Sequence, residues 1–181
     1  MFKGTNASAG IGIGKAAIIK ENELVIRPEK VIDGAAEVER FKGALAETIA
    51  QTETLAADLA TRVGEKEAEI MQGHLMLLND PMLTNEIESA ITGDNVCSEF
   101  AIETVCTMYA DMFASMDDEL MQQRATDMRD IKVRLQQVLQ GVKPVDIAAL
   151  PEGSVIVATK VSPGVSKVQN PSAFLAIISM L

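Results

Sequence analysis

From Asp33 to Gln140 the chain holds a helical period for about 110 residues, and the stretches on either side follow strand patterns instead. In DGAAEVERFKGALAETIAQTETLAADLATRV, the apolar residues Val38, Phe41, Leu45, Ile49, Leu55 and Leu59 fall at helical spacings, with little to break them before Gly64. A second helix is expected from about Glu65 to Leu78, and NDP then stops and restarts the chain with Asp80 as N-cap and Pro81 at the first helical position. That third helix ends near TGDN, a fourth covers about Val96 to Ser115, and a fifth starts at the acidic MDDE and closes on Gly141. In the fourth, Phe100, Val105, Met108, Met112 and Phe113 are expected inward or between faces. Before the helical stretch, KAAIIK and LVIR read as short strands; after it, GSVIVATKVSPG and AFLAIIS do. Strand, helices, strand is the order left when a helical subdomain is inserted into a discontinuous α/β domain. The fold class is therefore mixed α+β. Its boundaries fall at 1–32 and 144–181 for the α/β part and 33–143 for the helical insert, with the first strand and the last strands sharing one sheet.

Charge divides along the same lines. The helical stretch carries 21 acids against 8 bases, while the remainder of the chain is slightly basic and the total is −10. Such a surface excludes a phosphate backbone as partner, so nucleic acid is not expected. It suits a basic partner protein, or it merely solvates exposed helix faces. No apolar run reaches the ~18 residues a membrane span requires, and the N-terminus lacks the apolar core of a signal peptide. Cys97 and Cys106 are too far apart along one helix for a disulfide and have no second pair for zinc, so both read as buried thiols in a reducing compartment. A cytoplasmic location follows.

Motifs for phosphate and metal fail on inspection. GIGIGK at 10–15 lacks the first glycine of a phosphate loop, since Ala9 occupies it, and Ala16 replaces the hydroxyl residue after Lys15. Its glycines fit close packing around a turn. His74 is the single histidine, and the residues three before and three after it are Met71 and Leu77, so the Glu-x-x-His pattern of a carboxylate-bridged metal site is missing. Nothing local activates a cysteine toward it. Read from the residues alone, His74 is a part-buried helix residue bonded to a neighbouring carboxylate. Met71, Leu75, Leu78 and Met82 form a stripe whose default is the core. Met76 and Leu77 lie off the stripe and are better suited to an adaptable interface.

Three stretches in order, SAGIGIGKA, EAEIMQGHLMLLNDPML and DDELMQQRATDMRDIKVRLQQVL, resemble the N-terminal region of Enzyme I of the bacterial phosphoenolpyruvate:sugar phosphotransferase system. The resemblance implies a helical subdomain that docks the phosphocarrier protein HPr, inside a phosphohistidine α/β domain. It implies a parent enzyme that moves a phosphoryl group from phosphoenolpyruvate to HPr, or a regulatory HPr-binding paralogue. Phosphoenolpyruvate and Mg²⁺ then belong to a separate C-terminal domain that also forms a homodimer, and this chain holds no cofactor. The family's Gly-Gly-Arg-Thr-Ser-His loop is expected beyond Leu181, so this chain carries no catalytic residue and His74 is not the phosphoryl carrier. Residue by residue, the resemblance places Glu65, His74, Met76, Leu77, Leu83, Phe113, Arg124 and Asp127 at or near the docking positions. Pro81 and Met82 stand where the family often has acids, and Met180 where an acid is usual.

Overall fold

A computed structural model of the chain describes residues 14–19, 24–62, 65–142, 151 and 154–158. It contains two compact units, one made of Met1–Glu23 with Pro144–Leu181 and the other of Leu24–Lys143. In the first unit, β1 (Lys15–Ile19) pairs in parallel with β2 (Ser154–Ala158), Lys15 opposite Ser154 and Ile19 opposite Ala158. The strand expected at AFLAIIS lies outside the described residues. LVIR does not form a strand. Residues 24–29 have no regular structure, and Lys30 makes an isolated antiparallel bridge to Val96. The backbone there is committed to the helical unit: Val31 N–H donates to Asn95 O and Cys97 N–H to Glu29 O, both at 2.9 Å. Residues 24–32, placed with the α/β part by sequence pattern, thus belong with the helices.

The second unit is built from α1 (Gly34–Arg62), α2 (Glu65–Leu78), α3 (Pro81–Asp94), α4 (Ser98–Ala114) and α5 (Glu119–Leu139). Most of the starts are capped locally. Asp33 Oδ1 accepts from Ala35 and Ala36 N–H, Asp80 Oδ1 from Met82 N–H, and Asp118 Oδ1 from Met121 N–H. Among the starts whose preceding residue is described, α4 is the exception, because Cys97 offers no side-chain cap. Glu37 from α1 supplies it, with Oε1 accepting from Ser98 N–H at 2.6 Å, and Arg40 bridges Glu37 to Glu99. Two helices stop at left-handed residues, Asn95 after α3 and Gly141 after α5, where φ is 51° and 64°, while α4 ends at the right-handed Ser115.

One main core runs through α1, α3, α4 and α5, around Phe41, Leu83, Ile87, Ile91, Ile102, Met128, Ile131 and Leu135. In α4 and α5 polar partners descend one helix as they climb the other, Gln136 to Glu103, Lys132 to Glu103 and Thr107, Arg129 to Asp111, which makes the pair antiparallel. A second, smaller cluster holds the far half of α1 against α2 through Ala56, Leu59, Ala68 and Met71. Cys106 is buried, and the surrounding apolar contacts push its thiol up to about 12. Cys97, expected buried, is only part-buried, between the buried Val96 and Ser98 at the start of α4. No described helix is long and apolar enough to cross a membrane.

Candidate functional site

α2 divides the residues singled out by sequence between two faces. Met71, His74 and Leu78 recur at helical spacing and are each no more than 2% exposed. Met76 projects the opposite way at 67%, and Leu77 lies between, part-buried against the main core. The stripe expected to be core is therefore core at Met71 and Leu78 but not at its end, where Met82 on α3 is 71% exposed. Leu83, assigned to docking, is a core residue at 2%, because Leu83, Ile87 and Ile91 form the inward row of α3. It has no surface to give a partner.

His74 and Asp127, also assigned to docking, are buried at the crossing of α2 and α5. His74 Nε2 lies 3.5 Å from Asp127 Oδ1, the outer limit of a hydrogen bond, and neither ring nitrogen has a hydrogen-bond partner among the described residues. Asp127 also accepts from Gln123 Nε2 at 3.2 Å and from Arg124 Nη1 at 3.4 Å. Burial alone would push the Asp127 carboxyl up. The nearby imidazole of His74, the amide of Gln123 and the charge of Arg124 outweigh it, and the net shift is downward. Gly73 makes room for this crossing: a Cβ there would stand 2.5 Å from Arg124 Nη1. Sequence reasoning passed over Gly73, although a glycine next to the single histidine inside a helix was the available signal.

The exposed side of the same end is apolar and soft. α3 and α4 share the turn at 95–97, and Glu86 and Tyr109 sit 8 and 11 residues from its two sides. Tyr109 Oη donates to Glu86 Oε2 at 2.7 Å, so the two helices run back antiparallel from that turn. Met82 and Phe113, one turn beyond that bond on each helix, accordingly lie toward the α2–α3 and α4–α5 turns. Phe113 is part-buried, its ring 6.1 Å from that of Tyr109. Met112, Met116 and Leu120 continue the exposed apolar residues into the second turn. Asp80, Asp111, Asp117, Asp118 and Glu119 punctuate the same segments. Arg124 is part-buried. Glu65 opens α2, and its side chain lies outside what the structure describes. Among the described residues no group of three or more His, Cys, Asp or Glu is placed to hold a metal ion. The chemistry on offer is recognition: flexible thioethers and a part-buried aromatic, set in an acidic surface, above the buried polar crossing of α2 and α5.

The chain is similar to known proteins over most of its length. Residues 3–124 match the family described as PEP-utilising enzyme, N-terminal. The phosphoenolpyruvate-protein phosphotransferase of Bacillus subtilis (strain 168) is 37% identical over 90% of the chain, and that of Haemophilus influenzae is 32% identical over 99%. The chain spans 28% and 32% of the lengths of those two relatives. Among solved structures, an NMR solution structure of Enzyme I superposes with a TM-score of 0.84 at 32% identity, covering 98% of this chain and 72% of that one. A structure of the N-terminal domain of Enzyme 1 - Nitrogen gives a TM-score of 0.69 at 24% identity, a likeness of fold.

Proposed function

Since the chain belongs to the PEP-utilising enzyme family, matching its N-terminal domain over residues 3–124, we propose that it is the docking part of a cytoplasmic phosphoenolpyruvate-protein phosphotransferase. The whole enzyme takes a phosphoryl group from phosphoenolpyruvate and passes it to HPr. The Leu24–Lys143 unit receives HPr. The observation that carries this reading is the pairing of exposed methionines, Met76 at 67% and Met82 at 71%, with a helical stretch whose net charge is −13. Unbranched thioethers adapt to a partner's apolar surface, while the acids draw a basic one and fix its approach. The resemblance names HPr as that partner. The same resemblance assigns Mg²⁺ and phosphoenolpyruvate to another part of the enzyme. No step of phosphoryl transfer is derived for these residues.

Of the docking residues, Met76 and Phe113 act through their own surface, with Met82 added to them. Leu77 contributes its exposed edge. His74, Asp127 and Arg124 act from below by holding α2 on α5. The test is calorimetric titration of the chain with HPr, for the wild type and for a Met76→Ala/Met82→Ala double variant. Truncating both side chains is expected to weaken binding by about 1–2 kcal/mol, as for residues at the centre of an interface. An unchanged affinity places HPr on a different face.

A further inference from the structure

Under the docking helix lies a buried group that the docking surface does not use. His74 is 2% exposed and Asp127 5%, and the imidazole has no hydrogen-bond partner at either nitrogen among the described residues. A buried polar ring left in that state is costly unless it gains a charge beside its one acidic neighbour. That neighbour is at 3.5 Å. The charged groups that reach the ring from α5 are Asp127 and, through Asp127, Arg124. From α1, the buried polar residues Thr48 and Thr52 donate their hydroxyls to Ala44 and Thr48 carbonyls in their own helix. α3 joins α2 through the Asn79–Asp80 turn, and Asp80 Oδ1 is taken by Met82 N–H. The second half of α2 meets the main core through Leu77 and Leu78. Its first half rests on the small cluster of Ala56, Leu59, Ala68 and Met71, and Gly73 brings the Arg124 guanidinium close to the helix backbone.

We propose that His74 is a positioning residue whose proton clamps α2 to Asp127 of α5, so that presentation of Met76 and Leu77 follows the protonation of a ring the partner never touches. The inference rests on the docking reading for its effect on binding, but not for the clamp itself. Proton uptake puts a cation beside a carboxylate in a site closed to water. The ring then has a charge-assisted partner, and α2 is held. Loss of the proton removes the charge and leaves at most one neutral N–H toward Asp127, a weaker partner, so α2 is released toward local opening. The chain has a single histidine, so a pH profile that disappears in His74→Gln is traceable to this ring.

The experiment compares the 181-residue chain with His74→Gln and Asp127→Asn between pH 5.5 and 8.0. It measures amide protection factors of α2 relative to α4 and the dissociation rate of HPr. Protection factors divide out the intrinsic pH dependence of exchange, and α4 reports global stability. In the wild type, α2 protection is expected to fall about fivefold with rising pH and HPr dissociation to quicken by about the same factor, the lower end of ordinary coupling between sites. Both profiles should be flat in His74→Gln. Titrating groups on HPr itself act in wild type and variant alike, so only the difference between them counts. If His74→Gln keeps the wild-type profile, or the wild type is flat, the clamp is overturned. If His74→Gln does not fold, Asp127→Asn decides, since it retains the ring and removes its acid; a wild-type profile there overturns the proposal. If α2 protection follows pH as expected while HPr binds at no pH, the clamp stands and the docking reading falls.

Discussion

Leu83 and Met82 are neighbours in sequence and opposites in consequence. Leu83 is 2% exposed and begins the inward row of α3; Met82 is 71% exposed on the same first turn. Truncating Leu83 to alanine removes buried methyl groups and leaves a cavity, which costs about 2–5 kcal/mol of stability in a well-packed core. Met82→Ala removes side-chain surface that water already reaches, so stability should change by less than about 0.5 kcal/mol. Urea unfolding of the two variants checks the contrast. Equal losses would place Met82 in the core and withdraw it from the docking face. The same divergence separates Met76 from His74, two residues apart on α2.

The starts of the helices show how much of an element is local. Asp33, Asp80 and Asp118 cap their own helices, and each was visible as an acid at the break of a periodic run. α4 depends on Glu37 from another helix. Burial pushes the Glu37 carboxyl up, but bonds from Arg40 and from Ser98 N–H pull harder and its net shift is downward. Glu103 follows the same balance: burial raises it, Lys132, Gln136 and Thr107 lower it more, and the net is downward. A carboxyl depressed in the folded state adds stability above its unfolded value, here near the ordinary 4.5, and loses it as pH falls through the lower folded value. Acidification below about pH 4.5 should therefore erode the grip of α4 on α1 and α5. Urea midpoints at pH 7 and pH 3 measure it. The midpoint should fall less in a Glu37→Gln/Glu103→Gln variant than in the wild type, and equal falls would assign the acid sensitivity elsewhere.

For the whole molecule the dominant quantity is the charge of the helical stretch, −13 against a slightly basic remainder. A field of one sign steers a basic partner during approach and is screened over about 8–10 Å at ordinary ionic strength. Association of HPr should slow by about tenfold or more between 20 and 500 mM salt, whereas dissociation, set by desolvated apolar contacts at Met76, should change little. Stopped-flow mixing across the salt series separates the two rates. A salt-independent association rate would mean that the acids solvate helix faces and do not guide docking.

Periodicity, capping residues and the charge partition are properties of neighbouring residues, and the sequence by itself determined them: five helices in their order, their breaks at Asp80 and Gly141, and strands at KAAII and SVIVA. Resemblance in sequence likewise carried the family. What remained for the tertiary structure was which side of each helix meets another helix. The helical period states that Met71, His74 and Leu78 share a face, but not that this face turns to α5 and takes His74 and Asp127 out of reach of a partner. LVIR has β propensity, yet its carbonyls accept from side chains far along the chain, Val25 O from Gln140 Nε2 and Arg27 O from Cys97 Sγ, and no described strand lies beside it to pair with. Local rules end where the partner of a hydrogen bond or of a buried face lies far along the chain, and there only the packed molecule decides.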